Sequence, residues 1–141
     1  MVTLYSAEIL RWSKSPQAVD ESMEYTGQIR VSNPICGDRI DWYVLVEGQQ
    51  IDQLVHQTKG CILCKASASW LSAQIVQQPI ASAQEVIQQF QSELEKVLRG
   101  ETASSAVRIF EPLQQAPARK ECVVLPWRGL EQLLGSLRSN Y

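Results

Sequence analysis

Apolar and polar positions alternate through the first third of the chain and then give way to a helical repeat. Tyr25, Gly27, Ile29 and Val31 hold every second position, as do Ile40, Trp42, Val44 and Val46. That period of two predicts two half-buried strands. Glu47-Gly48 is a turn signal, and Ile51 to Val55 reads as a third strand. The links are short, so an antiparallel meander is the simplest pairing. Ahead of the strands, Tyr5, Ile9 and Trp12 fall at i, i+4 and i+7, which predicts a helix from about Leu4 to Ser13, stopped by Pro16. Behind them, Ala66 to about Val76 is rich in small residues, as in a buried helix, and Pro79 closes it. Ser82-Ala83-Gln84-Glu85 has the form of a capping box. It opens a helix in which Val86, Phe90 and Leu94 recur every four residues and Gly100 supplies the C-terminal stop. Glu101 to Ser105 reads as a polar linker. A last helix starts near Pro126 with Leu130, Leu133, Leu134 and Leu137 as its apolar stripe. No internal repeat is visible. The expected architecture is α+β: one domain over residues 1–141, with a small three-stranded antiparallel sheet packed against helices. Trp42 and Trp127 read as core, and the Gln-rich polar side of the Ser82–Leu98 helix as a solvated face.

Composition narrows the function classes. The 141 residues carry a net charge of −2 and are 45% hydrophobic. One domain of this size buries a sizeable core without disulfides. The charge argues against a nucleic-acid footprint, which needs a basic patch. No apolar run reaches membrane-spanning length. The opening Met-Val-Thr-Leu-Tyr-Ser-Ala-Glu has no basic region followed by an apolar stretch, so a cytoplasmic protein is expected. Its four cysteines are then expected as reduced thiols, suited to metal binding or thiol chemistry rather than a disulfide framework.

Four residues stand out. Cys36, Asp38, Cys61 and Cys122 each lie at a junction between predicted elements, where a scaffold presents reactive groups. Cys36 and Asp38 are two apart, so in an extended chain both side chains reach one ion. Gly37 between them frees the backbone to bend. Cys61 precedes a helix, whose N-terminal dipole favours thiolate over thiol. Three thiolates and a carboxylate form a complete tetrahedral set for zinc, and the same thiolates suit an iron–sulfur cluster. The competing reading is four buried cysteines packing as small hydrophobes, since the spacings match no zinc-finger pattern. Cys64 makes a Cys-x-x-Cys pair with Cys61. It reads as a core residue one helical turn in, with a redox partner or reserve ligand as the alternative. His56, the single histidine, reads as a packed or surface residue outside the site, and Lys65 as a solvated lysine.

The wording around the cysteines carries a resemblance. Asn33-Pro34-Ile35-Cys36-Gly37-Asp38-Arg39-Ile40 resembles the first metal-site motif of the IscU/NifU/SufU family of iron–sulfur cluster assembly proteins. Gly60-Cys61 with Ala66-Ser67-Ala68-Ser69 resembles the second. Pro117-Ala118-Arg119-Lys120-Glu121-Cys122, followed by Leu125 and Trp127, resembles the third. Leu4-Tyr5 with Ile9, Lys14 and Pro16 is similar to the family's N-terminal helix and its exit. The long stretch between Cys61 and Cys122, with Arg119 three before the cysteine and Glu121 where IscU-type proteins carry a His, is similar to the zinc-binding SufU branch. The resemblance implies the IscU/SufU-like fold, with Cys36, Asp38, Cys61 and Cys122 as zinc ligands and Cys36 as sulfur acceptor. It implies a SufS-like, pyridoxal-phosphate-dependent cysteine desulfurase as partner, with downstream iron–sulfur assembly proteins or apo-proteins as recipients. Arg119 and Cys64 are the auxiliary candidates. In the functional reading Arg119 pairs with Asp38 or steadies a persulfide near Cys122; in the other it is a surface arginine. Two activities follow: a zinc-dependent sulfurtransferase, or a non-enzymatic scaffold on which a [2Fe–2S] cluster is built and passed on. A thiol–redox role for Cys61 and Cys64 would need a thioredoxin-like βαβ context, which this order of strands and helices lacks. Cys64, His56 and Thr58 depart from the family pattern, which has a small residue, an aromatic and a glycine at those places.

Overall fold

A computed structural model describes residues 6–14, 22–101 and 105–138. Leu4, Tyr5 and Pro16, and most of the predicted linker after Glu101, lie outside them. Three strands, β1 (Gly27–Asn33), β2 (Asp38–Glu47) and β3 (Gln50–Lys59), pair in the order β1-β2-β3 as an antiparallel meander. The register sets Asn33 opposite Asp38 and Glu47 opposite Gln50, so both connections are tight. β3 runs four residues past the predicted Val55, because His56 to Lys59 keep pairing with Arg39 to Trp42. Its other edge is partly covered: Ile51 N–H donates to the Gln78 carbonyl and Gln77 N–H to that of Ile51.

Four α-helices flank the sheet among the described residues: α1 (Ala7–Ser13), α2 (Ile62–Ile75), α3 (Ile80–Leu98) and α4 (Lys120–Arg138). α2 begins at Ile62 rather than Ala66, directly after Cys61. It is buried on nearly every side, from Leu63 to Ile75. A helix buried all round shows little amphipathic pattern, and only small residues let neighbours approach it this closely. Each of its buried hydroxyls has a partner. Ser67 Oγ donates to the Val123 carbonyl (2.6 Å) and accepts from Trp127 Nε1 (2.8 Å), and Ser72 Oγ donates to the Leu54 carbonyl (3.3 Å).

The predicted capping box does not form. α3 starts two residues before Ser82, with Pro79 at the N-cap, φ −59°. Proline lacks the N–H that a helix start leaves unpaired anyway, so it serves there without a side-chain cap. The buried face is Ala83, Ile87, Phe90, Leu94 and Val97, with Val86 only partly buried beside it. At the far end Gly100 N–H donates to the Val97 carbonyl and Glu101 N–H to that of Lys96, the Schellman pair expected of a glycine stop.

Between α3 and α4, where no element was predicted, the chain runs through 3₁₀ segments, Ser105–Gln115 and Pro117–Arg119. α4 starts six residues before the predicted Pro126, so that proline lies inside the helix. Its carbonyl accepts from Trp42 Nε1 at 2.9 Å, fastening α4 to β2. Ile40, Trp42 and Val44 of β2 and Trp127, Leu130 and Leu134 of α4 join one buried cluster with α2. Trp70, Phe90, Phe110 and Trp127 meet ring to ring in it, Phe90 stacked on Trp127 within 4° of parallel. No helix among the described residues is long and apolar enough to cross a membrane.

Candidate metal centre

One end of the sheet collects the cysteines. Asn33 closes β1 and folds the connection to β2: its Oδ1 accepts the Ile35 N–H (3.0 Å) and its carbonyl the Gly37 N–H (2.8 Å). Gly37 turns at φ +77°, which a glycine adopts without strain. Cys36 stands exposed on this turn and Asp38 is the first residue of β2, only 2% exposed. The two therefore meet across a turn, not along an extended pleat as the spacing suggested. Cys61 is the N-cap residue of α2, and Cys122 lies buried in the first turn of α4.

Asp38 is the hub. Its Oδ1 accepts the Cys61 backbone N–H at 3.0 Å, and its Oδ2 lies 3.6 Å from Cys61 Sγ. Gly60 makes that approach possible. It sits at φ +149°, and a Cβ there would land on the Asp38 carboxylate. Ligand atoms of Cys36, Asp38 and Cys122 lie within 4.8 Å of one another. Cys61 Sγ falls outside that mutual group and joins it through Asp38. Among the described residues no other group of this kind occurs.

The electrostatics follow from burial and hydrogen bonding. Burial alone would raise the Asp38 pKa. The Cys61 amide, with the thiols of Cys122, Cys36 and Cys61, donates to the carboxylate and holds it below its usual value. Burial pushes the Cys122 thiol up to about 12, opposed by a hydrogen bond from Arg119. The Arg119 side chain thus reaches Cys122. Cys64 is fully buried in the core cluster beneath the site; burial first, then the charges of Asp38, Cys61, Cys122 and Cys36, raise its pKa far above the usual thiol range. His56 is also buried. Its Nδ1 lies 2.8 Å from Thr58 Oγ1 and its Nε2 3.3 Å from Ser69 Oγ, and burial lowers its pKa to about 4. Glu121, beside Cys122, accepts from Arg128 Nη1 at 2.6 Å.

Two positions that shape the centre lay outside the candidate set. Asn33 builds the turn that carries Cys36, and its signal was the Asn-Pro pair. Gly60 admits the Asp38 carboxylate, and its signal was a glycine directly before a candidate ligand.

The sequence and the fold agree with known proteins. The family model for the NifU-like N terminal domain matches residues 4–136, and the chain belongs to that family. It is 27% identical over 135 residues to the iron–sulfur cluster assembly scaffold protein IscU of Thermotoga maritima, covering 93% of this chain and 92% of that one. It is likewise 27% identical over 138 residues to the zinc-dependent sulfurtransferase SufU of Bacillus subtilis, covering 92% and 88%. Among solved structures, a candidate assembly scaffold for the SUF system from Fervidobacterium islandicum superposes with a TM-score of 0.77 at 24% identity, covering 93% of this chain and 96% of that one. The N-terminal part of a NifU-like protein from Brucella abortus gives 0.81 at 16% identity, with 98% and 96% covered. At these identities the two structures speak for the fold.

Proposed function

We propose that this protein works in iron–sulfur cluster assembly as a SufU-like, zinc-bound acceptor that takes persulfide sulfur from a pyridoxal-phosphate-dependent cysteine desulfurase. One observation carries the reading: an exposed thiol, Cys36, whose donor atom lies within 4.8 Å of those of two buried groups, Asp38 and Cys122. Three cysteines and a carboxylate fit zinc by ligand type and number. Cys36, Asp38, Cys61 and Cys122 would hold the ion. When bound it would keep the thiols as thiolates at neutral pH.

The chain's own residues divide the remaining work. Cys36 stands on an exposed turn beside Ile35, which is 95% exposed, so it is the sulfur a partner can reach. In the transfer, the Cys36 thiolate attacks the terminal sulfur of the enzyme persulfide. A new S–S bond forms at Cys36, the enzyme's S–S bond breaks, and its cysteine leaves as thiolate. Asp38 is a harder ligand than sulfur, which suits a site that must release one thiolate. Arg119, whose fixed charge already meets Cys122, suits a place beside an anionic sulfur.

A scaffold on which a [2Fe–2S] cluster is assembled and passed on is the second reading, favoured by the likeness to the IscU of T. maritima. The same thiols suit iron. Against it, the residue before Cys122 is Glu121 held by Arg128, and the single histidine is committed to Thr58 and Ser69.

Metal and labile sulfide in protein purified without oxygen separate the two. About one zinc per chain without sulfide, lost in Cys36→Ser or Cys122→Ser, together with faster desulfurase turnover on adding the protein, supports the transfer reading. Iron with matching sulfide moves the protein to the scaffold class. No metal in the wild type would sink both.

A further inference from the structure

A second site lies beside the metal centre, on the open half of β3's edge. A cleft of about 480 Å³ is bounded there by Lys14, Arg39, Lys59 and Lys65, with Asp41 as its one carboxylate and Thr58, His56 and Ser69 as polar wall. From these groups we infer that the cleft binds a small oxyanion ligand, one presenting a phosphate or a carboxylate.

Charge is the first argument. Asp41 is engaged by Arg30, whose Nε lies 2.6 Å from Oδ1. Arg39 comes no nearer to it than 3.9 Å, beyond hydrogen-bond distance. Among the described residues Lys14, Lys59 and Lys65 form no ion pair. Four cations thus face one space with a single carboxylate already shared outward.

An unmet donor is the second. Arg39 Nε is buried from solvent and has no acceptor. Asp41 at 3.9 Å meets its charge but not its hydrogen bond, and a buried donor left without an acceptor costs more than an ordinary hydrogen bond is worth. An oxyanion in the cleft would supply the acceptor.

The strand register is the third. Arg39 and Lys59 are direct cross-strand partners. Like charges placed opposite each other destabilise a sheet unless something negative lies between them.

The wall adds a donor. His56, neutral at physiological pH, has one N–H and one bare nitrogen, and each faces a hydroxyl. One of Thr58 and Ser69 must donate to the ring. The other accepts from it and keeps its own proton for a ligand.

The size suits a small molecule, and the cationic cluster is local on a chain of net charge −2. Arg39 follows Asp38 and Lys59 precedes Gly60-Cys61, so an occupant would rest against the segments that hold two candidate metal ligands. The inference itself rests on the cleft and not on the metal reading.

Titrating the full-length, isotopically labelled protein with inorganic phosphate tests it, at an ionic strength held constant with chloride and followed by amide shifts. Saturating shifts at Arg39, Thr58, Lys59 and Lys65 are expected, weakened at least tenfold in Lys59→Gln/Lys65→Gln. Lys59→Gln alone, at an exposed position, should weaken binding about threefold and serves if the double variant folds poorly. Acetate in a parallel titration identifies the source: saturation by only one of the two anions assigns the ligand class, and saturation by both assigns the oxyanion in general. Linear shifts with both anions, or saturation unchanged in the variants, would overturn the proposal. So would tight binding of a polyglutamate peptide when neither small anion saturates, because the cleft would then belong to an acidic protein surface.

Discussion

Replacing Gly60 with alanine should disable the candidate metal centre by displacing a residue it does not itself contribute. The new Cβ would fall on Asp38 Oδ1, 2.8 Å from the carboxyl carbon and 3.0 Å from the Asp38 Cα. Neither side can yield freely. The carboxylate is pinned by the Cys61 N–H at 3.0 Å, and Gly60 holds φ +149°, a region nearly reserved to glycine. Keeping that backbone with a side chain costs about 1–3 kcal/mol. Moving the carboxylate forfeits a charge-assisted, buried hydrogen bond, about 1.5–3 kcal/mol more. A total of roughly 3–5 kcal/mol is expected, a large share of an ordinary domain's stability. Gly37→Ala is the internal control: it too has positive φ, +77°, but its Cβ meets nothing within 4 Å, so about 1 kcal/mol is expected. Urea denaturation of metal-stripped protein measures both. In an Asp38→Ala background about half of the Gly60→Ala effect, the carboxylate part, should vanish, leaving the backbone part, and that double-mutant cycle isolates the contact. Equal losses for Gly60→Ala and Gly37→Ala, or no coupling to Asp38, would refute the reasoning.

Three further outcomes are expected. His56 titrates near 4 in the folded protein against about 6.5 unfolded, so the unfolded chain takes up its proton first; stability is intact above pH 6.5 and falls on acidification by about 1.4 kcal/mol per unit, roughly 3 kcal/mol by pH 4. Denaturation curves between pH 4 and 7 should show this slope reduced in His56→Phe, and an unchanged slope would contradict it. Arg119→Gln removes the hydrogen bond that opposes the raised Cys122 pKa, and should weaken zinc binding about 10–100-fold in a chelator competition while the fold persists. Cys64→Ala should leave metal stoichiometry unchanged and lower stability by about 1 kcal/mol, as expected of a core thiol; loss of metal would make Cys64 a ligand.

Much of this molecule can be read along the chain, for definite reasons. The strands announce themselves because β2 is buried on alternate positions, and alternation is visible in one dimension. α2 is legible only as small residues, because it is enclosed on all sides and keeps no polar stripe to mark its start; its first turn, Ile62 to Lys65, was missed for that reason. Ser82 to Glu85 has the form of a cap but is overridden by Pro79, whose ring fixes the helix start earlier. The segment Ser105–Gln115 was missed although Val107, Phe110 and Leu113 recur every three residues along it and are buried. At the centre, residue types and spacing pick out Cys36, Asp38, Cys61 and Cys122, but not how they meet. The turn through Gly37, the space left by Gly60 and the reach of Arg119 to Cys122 are contacts between segments far apart in sequence. The cleft is hidden more thoroughly: Lys14, Arg39, Lys59 and Lys65 come from four elements or their ends, and each alone reads as a solvated charge.

Pro126 gives the site a mechanical property. A helix normally ties each turn to the next through the N–H four residues on, and the residue four on from Cys122 is this proline. The Cys122 carbonyl therefore has no backbone donor at position 126, while the proline's own carbonyl is clamped to Trp42. The body of α4 is anchored to the sheet, and the turn that carries the thiol hangs from it by one strut fewer. That turn takes its support from α2 instead: Ser67 Oγ donates to the neighbouring Val123 carbonyl at 2.6 Å, so the thiol's position over Asp38 is set by two helices at once.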